Sequence, residues 1–157
     1  MKKIFITTAM IALLGTSVFA KDGGKKAEKA VTVSYTVQNQ FDADFSDATD
    51  VNWTVTSNCQ KATFTLNDVK MTAFYNLQGE YLGTTQDVNY STIAPKAKKQ
   101  ITDKYKDYTV ADVIKYETSD NVTADQTVYF VDLKNTTSEI LVRVTPNADV
   151  YFFKQVK

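Results

Sequence analysis

The chain has 157 residues, 43% apolar, 12% aromatic and 23% charged, with 18 basic and 18 acidic side chains. That suits one globular domain, and a formal net charge of zero argues against nucleic acid or an anionic membrane surface as partner. Histidine is absent, which excludes His-based triads and His metal sites, and a single cysteine excludes an intrachain disulfide or a Cys-only zinc site.

Lys2 and Lys3 precede an apolar run from Ile4 to Leu14, and Val18-Phe19-Ala20 stands just before Lys21. Residues 1–20 therefore read as a signal peptide cleaved after Ala20, sending the chain to the periplasm or outside the cell. The run is too short to span a bilayer stably, so no lasting membrane insertion is expected. Residues 21–37 read as a lead-in. Lys21 to Lys29 is lysine-rich and flexible, and Val31, Val33, Tyr35 and Val37 then alternate with polar residues as an edge strand or an extended arm would.

Residues 38–157 read as one domain that runs helix then strands, twice, over about 38–86 and 94–157. A helix is predicted from Gln38 to Asp47, with Phe41 and Phe45 on one face. Strands follow at Val51–Val55, Ala62–Leu66, Val69–Asn76 and Glu80–Thr85. Pro95 sits at a first helical position, and Ala97, Ile101 and Tyr105 recur every four residues as an apolar stripe. Lys96, Lys98, Lys99, Lys104 and Lys106 surround that stripe and read as a solvated face, interrupted by Asp103 and Asp107. Strands resume at Thr109–Glu117, Gln126–Leu133, Ser138–Thr145 and Asp149–Val156, with a polar loop at Thr118–Asp125. Met71, Ala73 and Tyr75 align with Ile140, Val142 and Val144, and Asn76-Leu77-Gln78-Gly79 with Thr145-Pro146-Asn147-Ala148. The expected architecture is α+β: a tandem repeat of helix plus antiparallel β-meander, with two helices packed on one face of a roughly eight-stranded antiparallel sheet.

The pattern Phe41-x-x-x-Phe45, then Ala48-Thr49-Asp50-Val51-Asn52-Trp53, a hairpin meander, and Ile93-Ala94-Pro95 opening a Lys-rich helix with Tyr105 resembles the PepSY-like family. These are small exported proteins, mostly of Bacteroidetes, related in fold to the beta-lactamase inhibitory protein. The hairpins at Asn76–Tyr81 and Thr145–Asp149 also suit that family's turns, and the resemblance covers about Gln38 to Lys157. It implies an exported binding or inhibitory role. The inhibitory protein itself carries disulfides, whereas this chain has only Cys59, so no inhibitor contact residues are carried over.

Catalytic and metal signatures are sparse. Asp42, Asp44, Asp47 and Asp50 form an acidic cluster without the alternation, glycine or distal Glu of a calcium loop, and Asp42 and Asp44 read as charges near a helix amino end. Asp132, between Val131 and Leu133, is expected to form a cross-strand ion pair with Arg143. Serines and threonines lack an activating base, and no phosphate-binding glycine loop is present. Cys59 reads as a small buried hydrophobe or a tolerated loop cysteine rather than a reactive thiol. The chain is read as a non-enzyme without metal or cofactor.

Strand alternation assigns Ala62/Phe64/Leu66, Met71/Ala73/Tyr75, Tyr129/Val131/Leu133 and Ile140/Val142/Val144 to the helix-covered core. Thr63, Thr65, Thr72, Phe74, Phe130, Asp132, Leu141 and Arg143 fall on the other face. Phe74, Phe130 and Leu141 are expected there as exposed apolar groups beside Arg143, forming a surface for a protein or peptide partner. Alanine at Phe74, Phe130 and Arg143 is expected to abolish capture without disturbing the fold. Two other readings remain: an envelope sensor of a small ligand or metal built on the acidic cluster, and a structural or oligomerising module in which Val31–Val37 joins a neighbour as an edge strand.

Overall fold

The computed structural model describes residues 32–118 and 127–157. The expected signal peptide, the lead-in up to Val31 and most of the Thr118–Asp125 loop lie outside the described residues. Eight strands form one antiparallel sheet in chain order: β1 (Thr49–Val55), β2 (Gln60–Leu66), β3 (Val69–Tyr75), β4 (Tyr81–Asp87), β5 (Thr109–Thr118), β6 (Val128–Lys134), β7 (Glu139–Val144) and β8 (Val150–Gln155). Helix α1 (Tyr35–Asp44) precedes β1, and a short 3-10 turn and helix α2 (Pro95–Lys104) connect β4 to β5. The α+β class, the two helices and the eight antiparallel strands agree with the sequence reading.

Helix α1 begins three residues earlier than the sequence pattern suggests, and residues 32–37 do not form an edge strand. Ser34 is the N-cap, its side chain accepting a hydrogen bond from the Val37 amide at 3.3 Å. Val33, Val37 and Phe41, spaced by four, are all buried. The β-branched alternation that resembles a strand is thus a cap followed by a helical stripe. Buried Gln60 anchors this start, accepting from the Ser34 amide at 3.1 Å and donating to the Asn76 carbonyl at 3.3 Å.

Two separate cores lie between helices and sheet. Under α1 the core is aromatic: the Phe41 ring stands 5.2 Å from Trp53 and 5.0 Å from Phe64, both edge-on, and Phe45 lies 4.8 Å from Phe64. Under α2 it is aliphatic, with Ile93, Ala97, Ile101, Val113, Val131, Leu133, Ile140, Val142, Val144 and Val150 buried together. Each large side chain so buried contributes about 1.5–3 kcal/mol.

Local features recur between the two parts. The Phe45 amide donates to Phe41 at 2.8 Å and the Tyr105 amide to Ile101 at 2.9 Å, closing both helices alike. The hairpin Asn76–Glu80 turns through Gly79 at φ +94°, and Thr145–Asp149 turns through Ala148 at φ +59°. Register shifts fall between Thr49 and Asn52 and between Val110 and Asp112.

Candidate functional site

The helices cover one face of the sheet, and Phe74, Phe130, Leu141 and Arg143 share the other. Across β6, β7 and β8 the register sets Phe130 opposite Arg143 and Arg143 opposite Tyr151; in the next row Asp132 faces Leu141, and Leu141 faces Lys154.

The expected exposure of the apolar residues is overturned. Phe130 is 1% exposed, Phe74 5% and Leu141 8%. A register shift in the β7–β8 pairing adds one residue, Phe153, whose ring packs on Phe130 at 4.8 Å. Phe74 packs with buried Cys59 and with Leu82. Leu141 is flanked across the strands by Asp132 and Lys154. All three are buried, so triple alanine including Phe74 and Phe130 would disturb the fold as well as the surface.

The expected Asp132–Arg143 ion pair is also absent. Asp132 instead meets Lys134, two residues along the same strand, at 3.2 Å, and Lys134 meets Glu139 at 3.3 Å. The register explains the choice, since Asp132 faces Leu141 rather than Arg143. One oxygen of Asp132, Oδ1, is buried without a partner. Burial pushes the Asp132 carboxyl above its ordinary range, outweighing the attraction of Lys134. The more exposed ammonium of Lys134 is raised by its hydrogen bond to Asp132.

Arg143 therefore keeps its charge unmatched. Its Nε is buried without a hydrogen-bond partner, and its guanidinium forms no ion pair among the described residues. Arg143 as a whole is half-buried and faces Tyr151, which is 58% exposed, across the β7–β8 pair. A half-buried Arg next to an exposed Tyr is a composition found at the energetic centres of protein interfaces.

The acidic cluster does not converge. Asp42 and Asp44 lie in the last turn of α1, the carboxyl rather than the amino end, where the helix dipole disfavours them. Asp47 is in the following turn and Asp50 is at the β1 irregularity with φ +53°. No group of three or more potential metal ligands occurs among the described residues. Asp44 does line an open cleft of about 760 Å³ with Phe45, Gly79, Glu80, Tyr81 and Glu117. Two of its carboxylates are already engaged, Glu80 with Asn76 Nδ2 at 2.6 Å and Glu117 with Lys115 at 2.6 Å.

Sequence reasoning missed two features. The lysines of α2 are not merely solvated. Lys96 bonds Asp149 at 2.7 Å and the Asn147 carbonyl at 3.0 Å, while Lys104 donates to the Val150 carbonyl at 3.3 Å. With Gln100, which donates to the Ala148 carbonyl at 2.8 Å, they strap α2 to the β7–β8 hairpin. The other feature is the aromatic edge: Tyr151 and Phe152 are each 58% exposed. Three aromatics in a row, Tyr151-Phe152-Phe153, cannot all face one core from a strand, and that signal was present in the sequence.

Similarity to known structures agrees with this architecture. A BLIP-like protein of Bacteroides fragilis superposes with a TM-score of 0.66 at 15% identity, covering 80% of this chain and 88% of that one. A DUF2874 family protein of Bacteroides uniformis gives 0.69 at 15% identity, covering 80% and 91%. A candidate periplasmic protein of Bacteroides eggerthii gives 0.68 at 12% identity, covering 80% and 90%. The fold is thus BLIP-like. No family profile and no curated protein matches the sequence.

Proposed function

We propose that this chain is an exported, periplasmic, non-catalytic binding module that captures a protein or peptide through the helix-free face of its sheet. The observation that carries the proposal is Arg143, whose guanidinium has no ion pair among the described residues and whose Nε is buried without a partner, beside exposed Tyr151. A carboxylate from a partner would complete it with two parallel charge-assisted hydrogen bonds. The BLIP-like fold and the candidate periplasmic relative support the compartment and the binding role. So does the absence from the sequence of a histidine or a recognisable nucleophile–base pair. Membership of the PepSY-like family belongs to the same reading, as does descent from a duplicated helix–meander unit, which the paired caps, turns and register shifts support.

The buried aromatics act here as the foundation of the face. Phe130 and Leu141 underlie the surface on which Arg143 and Tyr151 stand, Phe74 packs further along the sheet, and a partner touches them at most at their edges. The test is affinity capture by residues 21–157 from the envelope fraction of the source cell, run beside Arg143→Ala/Tyr151→Ala. Any protein retained is then purified and its affinity measured by calorimetry. A partner bound by wild type and weakened by the double variant, with an unchanged thermal melt, is the expected result. Equal binding by both proteins, or no specific partner, overturns the proposal.

A further inference from the structure

We infer that the outer edge of β8 accepts an added β-strand, an extended acidic and apolar segment of a partner protein. The inference rests on the binding role proposed above and specifies how the partner is held.

The sheet has two edges, and they differ. At β1 the pairing is broken by a register shift between Thr49 and Asn52, Asp50 takes φ +53°, and the exposed side chains include Asp50 and Asn52. Those are devices that keep an edge from pairing. β8 has a register shift of its own at Phe153, but ahead of it the strap from α2 covers only one residue. The Val150 amide donates to Gln100 Oε1 at 3.2 Å and its carbonyl accepts from Lys104 at 3.3 Å, so side chains of α2 occupy the place a neighbouring strand would take. By alternation the next outward-facing backbone is that of Phe152, beyond the reach of this strap. Tyr151 and Phe152, one on each face, are both 58% exposed at this point and would clasp an added strand from either side.

Charge sets the chemistry of that strand. From Val150 to Lys157 the chain carries Lys154 and Lys157 and no acid. Among the described residues Lys154 has no ion-pair partner, and neither has Arg143, one strand further in on the same face. Acidic side chains on the helix-free face of an added strand would lie beside Lys154, with Arg143 about 10 Å away across two strand spacings. A second copy of this chain fits poorly, because β8 against β8 brings like charges together.

The test uses residues 21–157 and a fluorescein-labelled peptide of alternating glutamate and valine. Its controls are the same peptide N-methylated on alternate amides and a lysine–valine peptide. The expected result is an anisotropy isotherm for the acidic peptide, weakened about tenfold or more by N-methylation through loss of main-chain hydrogen bonds. Amide exchange at Phe152 should slow on binding, and Lys154→Glu should transfer preference to the lysine peptide. Phe152→Thr, a strand-compatible change, should weaken binding while the melt stays cooperative. Binding that survives N-methylation but is lost in Arg143→Ala overturns the edge and leaves the face proposal standing. No binding at millimolar peptide overturns the edge alone, since capture tests the face independently. Sedimentation showing a dimer that excludes the peptide overturns it in favour of a second copy.

Discussion

The phenol of Tyr116 lies over Gly83 on the neighbouring strand. Its hydroxyl donates to the Leu82 carbonyl at 2.8 Å, and a Cβ placed on Gly83 would stand 3.0 Å from the Tyr116 hydroxyl and 2.3 Å from the Glu117 carbonyl. Gly83 also has φ +141°, a conformation that side chains rarely adopt. Gly83→Ala should therefore lower stability by about 2–4 kcal/mol in urea unfolding, since backbone as well as side chain must move. A loss below about 0.5 kcal/mol would show that β4 and β5 are free to separate there.

Ala148 occupies in the second hairpin the place of Gly79 in the first, and it does so at φ +59°. A Cβ in left-handed backbone is strained by about 1–2 kcal/mol. Ala148→Gly is expected to raise the unfolding midpoint, the relief of strain exceeding the added freedom of the unfolded chain. A lowered midpoint would refute the assignment of strain to this turn.

Tyr75 is fully buried, and its hydroxyl has no hydrogen-bond partner. Burial holds its ionisation far above the ordinary phenol range, with Asp44 adding to the effect. Removing an unsatisfied buried hydroxyl relieves a desolvation penalty, so Tyr75→Phe should stabilise the protein by about 1 kcal/mol. Destabilisation of similar size would mean that the hydroxyl has a partner in solution.

Asp132 gives a pH dependence of unusual sign. Its folded carboxyl is raised, so the native state binds the proton more readily than the unfolded chain. Its ionisation opposes folding at neutral pH, and this opposition fades as pH falls through the folded pKa. Asp132→Asn should match or exceed wild type near pH 7, with any advantage shrinking as the pH is lowered into the carboxylate range. Urea midpoints across that range decide it, and a deficit that is largest at neutral pH would show that the Lys134 pair dominates instead.

Phe130 and Arg143 face each other across β6 and β7 yet should behave oppositely. Phe130→Ala empties a buried site under Phe153 and is expected to lower stability by about 3–5 kcal/mol. Arg143→Ala removes a cation that no described residue neutralises, and stability should change by less than about 1 kcal/mol. Equal losses would place Arg143 among the structural residues.

The strands were legible in the sequence because alternation and turn residues are local. Ala62, Phe64, Ala73, Tyr75, Val131, Leu133, Val142 and Val144 all lie in the helix-side cores, as their spacing implies. The start of α1 was not legible, because Val33-Ser34-Tyr35-Thr36-Val37 satisfies a period of two until Ser34 is seen to cap a helix. Burial on the second face was not legible either. It depends on an extra residue, Phe153, and on Cys59 reaching Phe74, and both are matters of tertiary curvature. Of the residues in the proposed site, Arg143 was placed on its face by alternation, while Tyr151 and the lysine straps of α2 required the sheet edge to be known.

The strand order carries a consequence for how the chain reaches this state. Each strand pairs only with its predecessor and its successor in sequence, from β1 through β8. Contacts of this kind close short loops, and only the β4–β5 pairing must wait for an intervening helix. A chain emerging amino end first from any narrow passage can therefore zip each strand onto the last as it appears, with no early strand left waiting for a late one.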